Sequence, residues 1–297
     1  MSLKDIALAL IVIIAWGLNF VVSKISLEGM PPMLLGSLRF ILVVFPAIFF
    51  FRRPQIPWRW LIAYGLTISM GQFAFVFESI AQGMPAGLAS VVLQAQAFFT
   101  LILASLLLKE KMTPAGLTGL LISASGLILI SMQGAHAAPL HAMLLTLAGA
   151  LCWALGNLIT RRFRGVNPMA LVIWGGLIPP VPFFMLSWFI DGPDAITASL
   201  LHITLTSVLS IIYLSFVATL LGFGLWSRLL AVYPAGKVAP LSLLVPVVGL
   251  SSSVWLLDEH LSATQWYGCA LVMAGLIVNV LGTRLARRLW PQRTAAY

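Results

Sequence analysis

The 297-residue chain is 61% hydrophobic and only 8% charged, with a mean hydropathy of +1.04. That balance excludes an ordinary soluble globule, in which about a quarter of the residues carry charge. A net charge of +9 would suit nucleic acid in a soluble protein, but here the cations sit between apolar runs and read as orienting residues of a membrane protein, with no nucleic-acid partner.

Apolar runs of about 20 residues, each able to cross a hydrocarbon core of ~30 Å, are expected at 5–23, 33–51, 59–82, 85–108, 114–132, 142–160, 169–189, 203–228, 236–257 and 263–283. These ten spans predict an all-α integral membrane fold with short loops and the lipid bilayer as its main partner. Span one follows Lys4 and Asp5 and carries Trp16, Asn19 and Phe20 where a signal peptide would need small residues, so it reads as an uncleaved span.

Span two contains Arg39 and span three Glu78, both in the half of the membrane away from the N-terminus. A buried charge costs at least ~2.5 kcal/mol on insertion scales, so each is expected to face the bundle interior with a partner. Two readings stand: a structural Arg39–Glu78 ion pair, or a pair that opens for a zwitterion, Arg39 taking the carboxylate and Glu78 the ammonium. Arginine suits the first role through its bidentate fork.

Span four is interrupted by Gln94 and Gln96, amides able to meet a polar solute or to bond between helices; at about 200° apart, at most one faces a given cavity. Spans five and ten open on Thr113-Pro114 and on Ser262 with Gln265 three residues later, both helix-start signatures. Trp153 and Asn157 in span six echo Trp16 and Asn19 and share their candidacy for substrate contact. Span seven carries Pro179, Pro180 and Pro182, and span nine Pro240 and Pro246. Proline removes a helix donor and frees a carbonyl, which makes Pro240 and Pro246 the candidate hinges.

Residues 84–130 align without a gap onto 233–279 at a constant offset of 149. Pro85-Ala86-Gly87 matches Pro234-Ala235-Gly236, Glu110 matches Glu259, and Gly119 and Gly126 match Gly268 and Gly275. Such a repeat in a membrane chain points to a transporter built from two halves: 1–132 and 142–283, with a basic tail at 284–297. Each half has five spans, so the second enters the membrane inverted. Glycines recurring every seven residues on spans five and ten allow close helix approach, within the monomer or at a homodimer seam.

Fifteen Lys and Arg residues fall on the predicted inner side against Lys24 alone outside, which predicts that both termini are cytoplasmic. Cys152 and Cys269 lie within spans and read as free packing thiols. The four histidines map to outer loops, and Glu110 and Glu259 to loop positions. No phosphate-binding loop, zinc motif or nucleophile elbow is present, so no catalytic residue, metal or cofactor is expected.

The repeated Pro-Ala-Gly and Leu-x-Glu blocks, Leu38-Arg39-Phe40, the paired tryptophans and the glycines that follow resemble the EamA family of the drug/metabolite transporter superfamily over essentially the whole chain. The second half has Trp174-Gly175 near the position opposite Arg39, so any role of that arginine is not duplicated. The resemblance implies a secondary exporter of small polar metabolites, O-acetylserine and cysteine, at the bacterial inner membrane. The alternatives are an exporter of other amino acids or drugs, or a membrane enzyme acting on lipid-linked groups.

Overall fold

The computed structural model describes residues 1–110, 112–132, 139–163 and 165–282. Lys111, Arg164, the loop around His136 and the basic tail at 284–297 lie outside the described residues. Among the described residues, ten helices have the length and hydropathy to cross a membrane: Leu3–Leu27, Pro32–Phe49, Trp58–Ala81, Ala86–Leu108, Pro114–Ser131, Leu140–Arg162, Pro168–Ile190, Leu205–Val232, Pro240–Leu257 and Ala263–Gly282. They coincide with the ten expected spans. One helix was not expected: Gly192–Leu201 joins spans seven and eight and buries only Ile196 among its residues, which left too little apolar signal to read.

Several spans are not uniform α-helix. Span three turns π-helical over Gly65–Gly71, and span eight does so 149 residues on, over Tyr213–Leu221. Span four pauses between Val92 and Ala95, and span nine tightens to a 3-10 stretch over Ala239–Leu244 in the equivalent place. Span seven breaks between Gly175 and Pro180, where proline cannot supply the next helix donor. Spans five and ten begin on equivalent caps: Thr113 accepts from the Gly116 amide and Ser262 from the Gln265 amide, and Ser262 with Gln265 forms a full capping box. Each of the two fourth-in-repeat helices ends on a left-handed residue, Lys109 at φ 54° and Asp258 at φ 50°.

Spans five and ten lie against each other through their glycines. A Cβ on Gly126 would stand 2.6 Å from the Gly268 carbonyl oxygen, and one on Gly268 2.8 Å from that of Gly126. Gly119 and Gly275 are opposed in the same reciprocal manner, and the Ser123 hydroxyl donates to the carbonyl of Val272, its own equivalent. Reciprocal contact, with a residue touching its own counterpart, is the pattern of a two-fold axis. The two helices are antiparallel, so that local axis runs across them, perpendicular to both. The glycine stripes of spans five and ten thus face each other inside the monomer.

Spans one, two, three and eight surround a second packing centre. Met30, Leu34, Leu35, Phe77, Ile211 and Leu214 are buried together there, with Phe40, Phe73 and Phe183 beside them. The ends of the bundle carry the ion pairs, Lys24–Glu259 at one and Arg161–Glu110 at the other.

Candidate functional site

Arg39 is the largest of the fully buried side chains, 2% exposed, in the α-helical part of span two. Its Nη2 donates to Thr219 Oγ1 at 2.9 Å. The guanidinium carbon lies 4.0 Å from the centroid of the Phe73 ring and 5.9 Å from that of Phe77. Nε and Nη1 are buried and have no hydrogen-bond partner. The two ion pairs among the described residues involve other groups, so no carboxylate neutralises this charge there. Aromatic faces offset part of the cost, about 0.5–2 kcal/mol each, and two of the guanidinium nitrogens remain without an acceptor.

The π stretch of span eight builds the partner. Its wide turn lets the Thr219 hydroxyl donate to the carbonyl of Leu214, five residues back, at 2.8 Å. The hydroxyl's lone pairs are thereby left to receive Arg39. From the same stretch Ser215 donates to the Arg39 carbonyl at 3.0 Å. Side chain and backbone of Arg39 are both held from one segment, a use of π geometry that the repeat-mate stretch in span three does not share in these contacts.

The expected Arg39–Glu78 pair is not formed. Glu78 is half-buried and accepts from Gln82 Nε2, one turn along its own helix, at 2.6 Å. The depth was right, but Phe73 and Phe77 share the face that meets Arg39, and Glu78, one residue on from Phe77, is rotated about 100° off it.

The remaining candidates divide. Trp16 donates its Nε1 hydrogen to the Ala218 carbonyl at 2.9 Å and lies against Phe223 and Trp226, centroids 5.2 and 5.3 Å away, so it anchors span one to span eight beside Thr219. Asn19, one turn further along span one, keeps its Oδ1 buried and without a partner. Counted along the helices, Asn19, Arg39 and Phe73 lie at a common depth, roughly 10–12 Å inside the same end of the bundle.

Asn157 instead bridges to span four, its Nδ2 donating to Gln96 Oε1 at 3.0 Å and to Thr100 Oγ1 at 3.2 Å. Trp153 packs on the core around span four. Gln94, half-buried, stands at the pause in span four as N-cap of Ala95–Leu108. Pro240 lies in the 3-10 stretch of span nine, and Pro246 opens the helix that follows. Thr219, Ser215, Phe73 and Phe77 were missed in the sequence; their spacing of four, Ser215 with Thr219 and Phe73 with Phe77, was the available sign that each pair shares a face.

The model of the EamA-like transporter family matches this chain twice, over residues 3–132 and 140–281. A protein of Salmonella typhimurium named probable amino-acid metabolite efflux pump is 51% identical over 294 residues, 97% of this chain and 98% of that one. An Escherichia coli protein of the same name is 50% identical over 291 residues, 96% and 97% of the two chains. A probable terminal-alkyne amino-acid exporter of Streptantibioticus cattleyicolor is 29% identical over 68% of this chain and 67% of its own. One solved crystal structure superposes with a TM-score of 0.62 at 19% identity, covering 97% of this chain and 99% of that one, a likeness of fold alone.

Proposed function

This chain belongs to the EamA-like transporter family, and on that premise we propose that it exports zwitterionic amino-acid metabolites, O-acetylserine and cysteine among them, across the bacterial inner membrane. It is a transporter and not an enzyme. The observation that carries the substrate class is the buried guanidinium of Arg39, two of whose nitrogens have no hydrogen-bond partner. A carboxylate supplies what those nitrogens lack, as charge-assisted hydrogen bonds. At the same depth the unbonded Oδ1 of Asn19 accepts from the substrate ammonium. Phe73 flanks the guanidinium, and Trp16 holds spans one and eight in register beside it. Gln96 and Asn157, hydrogen-bonded to each other, line the route beyond.

The fifteen-to-one distribution of basic residues supports termini on the cytoplasmic side, and the five-span halves support alternating access. Pro240 and Pro246, beside the 3-10 stretch of span nine, are its hinges. In cells overproducing the protein, efflux of both metabolites and tolerance of toxic levels are expected to rise. Inverted vesicles are expected to accumulate labelled cysteine in competition with O-acetylserine but not with cysteamine, which lacks the carboxylate. Unchanged efflux at verified membrane expression refutes these substrates, and equal competition by cysteamine refutes the role given to Arg39.

A further inference from the structure

The repeat puts equivalent carboxylates, Glu110 and Glu259, at opposite ends of the bundle, and the structure leaves them in different states. Glu259 Oε1 accepts from Lys24 Nζ at 2.9 Å and from the Ala86 amide at 2.7 Å, while Oε2 accepts from the Gly87 amide at 3.1 Å. Its side chain is 7% exposed. One carboxylate thus ties the end of span one and the start of span four to the end of span nine. Spans four and nine interlock just below it: a Cβ on Gly87 would overlap Ser253, and one on Gly249 would overlap Ser90.

Glu110 makes the equivalent ion pair, Oε2 to Arg161 Nη1 at 3.0 Å, yet its side chain is 50% exposed. At that end a cavity of about 380 Å³ opens between spans one and nine, lined by Ile6, Leu10, Ile13, Lys237 and Leu241. The residues that correspond to Ala86 and Gly87 are Ala235 and Gly236, the start of the short helix Ala235–Val238.

We propose that Glu259 and Glu110 are the two latches of the transport cycle, and that the structure holds the Glu259 end shut and the Glu110 end open. A buried carboxylate with three charge-assisted hydrogen bonds holds its helices firmly, whereas an exposed pair holds them weakly. When the halves exchange conformations, Ala235 and Gly236 close on Glu110 as Ala86 and Gly87 leave Glu259. The left-handed Lys109 and Asp258 keep each carboxylate aimed across its own helix end in both states. The inference requires no particular substrate.

The test is side-specific labelling. In a Cys152→Ala, Cys269→Ala background, Ser90→Cys places one thiol at a position 2% exposed beneath the shut end. A membrane-impermeant maleimide is applied from the Glu259 side. Glu259→Gln is expected to raise the labelling rate roughly threefold or more and Glu110→Gln to lower it, because the two carboxylates stabilise opposite states. Lys24→Gln, which spares the amide contacts of Glu259, is expected to give a smaller rise and keeps the test decisive if Glu259→Gln does not reach the membrane. Changes of the same sign from both glutamate variants, or no change from Lys24→Gln and Glu110→Gln, overturn the proposal. The readout contains no substrate, so its failure leaves the export reading untouched.

Discussion

Replacing Arg39 by methionine separates the two demands placed on that position. The guanidinium is kept in the bundle at 2% exposure with two nitrogens unbonded, an arrangement that costs stability. Even a paired buried ionic group often gives way to apolar residues of similar size with a gain of about 1–4 kcal/mol, and this cation has no ion-pair partner among the described residues to lose. Arg39→Met is therefore expected to raise the thermal stability of the detergent-solubilised protein while export is lost. Arg39→Lys keeps the charge but not the fork, and is expected to raise KM about tenfold, the equivalent of one lost good hydrogen bond at ~1.4 kcal/mol. Thr219→Val strips Nη2 of its acceptor as well and is expected to cost about 1–3 kcal/mol of stability. A less stable Arg39→Met that transports normally would make the arginine a structural residue. Glu78 is predicted to matter less than Arg39, since its carboxylate is bonded within its own helix by Gln82; near-normal vesicle uptake by Glu78→Gln checks this.

Helix-scale behaviour rests on backbone proximity. Spans five and ten approach so closely that a side chain on Gly268 would run into the backbone of span five, 2.8 Å from the Gly126 carbonyl oxygen. Lipid offers no hydrophobic drive to hold two helices together, so this close packing does the holding. Gly268→Leu is expected to destabilise by about 1–3 kcal/mol, seen as a lower midpoint in thermal size-exclusion profiles. Leu121→Val, on the same pair of helices but 64% exposed to the lipid side, is expected to stay within about 0.5 kcal/mol. The π stretch of span eight acts at the same scale, because widening one turn rotates every later residue and is what brings Thr219 to Arg39.

At the scale of the whole molecule the two halves are expected to be one design used twice in opposite senses. Cysteines placed at Lys109 and at Asp258, the equivalent left-handed residues, are expected to label from opposite faces of the membrane, and tags on the two termini from the same face. Labelling of both helix ends from one face would break the inverted relation and the exchange of closed ends with it. The halves are equivalent in backbone devices but not in chemistry, since Arg39 has no counterpart arginine. Transport is therefore expected to depend on one binding layer, between spans one, two, three and eight, served by two equivalent closures.

The number of spans, their limits and the repeated caps were legible in the sequence because they depend on quantities that run along the chain: the thickness of hydrocarbon, the reach of a helix, the start signals at Thr113 and Ser262. Depth was legible for the same reason, and it correctly placed Arg39 and Glu78 in one half of the bundle. Azimuth was not. Which neighbour a side chain meets depends on how each helix is rotated and on where π turns and pauses reset that rotation partway across. Only the tertiary structure could therefore give Arg39 to Thr219 and Phe73 instead of Glu78, turn the glycine stripes of spans five and ten toward each other, and bring Lys24, Ala86 and Gly87 from distant parts of the chain onto the single carboxylate of Glu259.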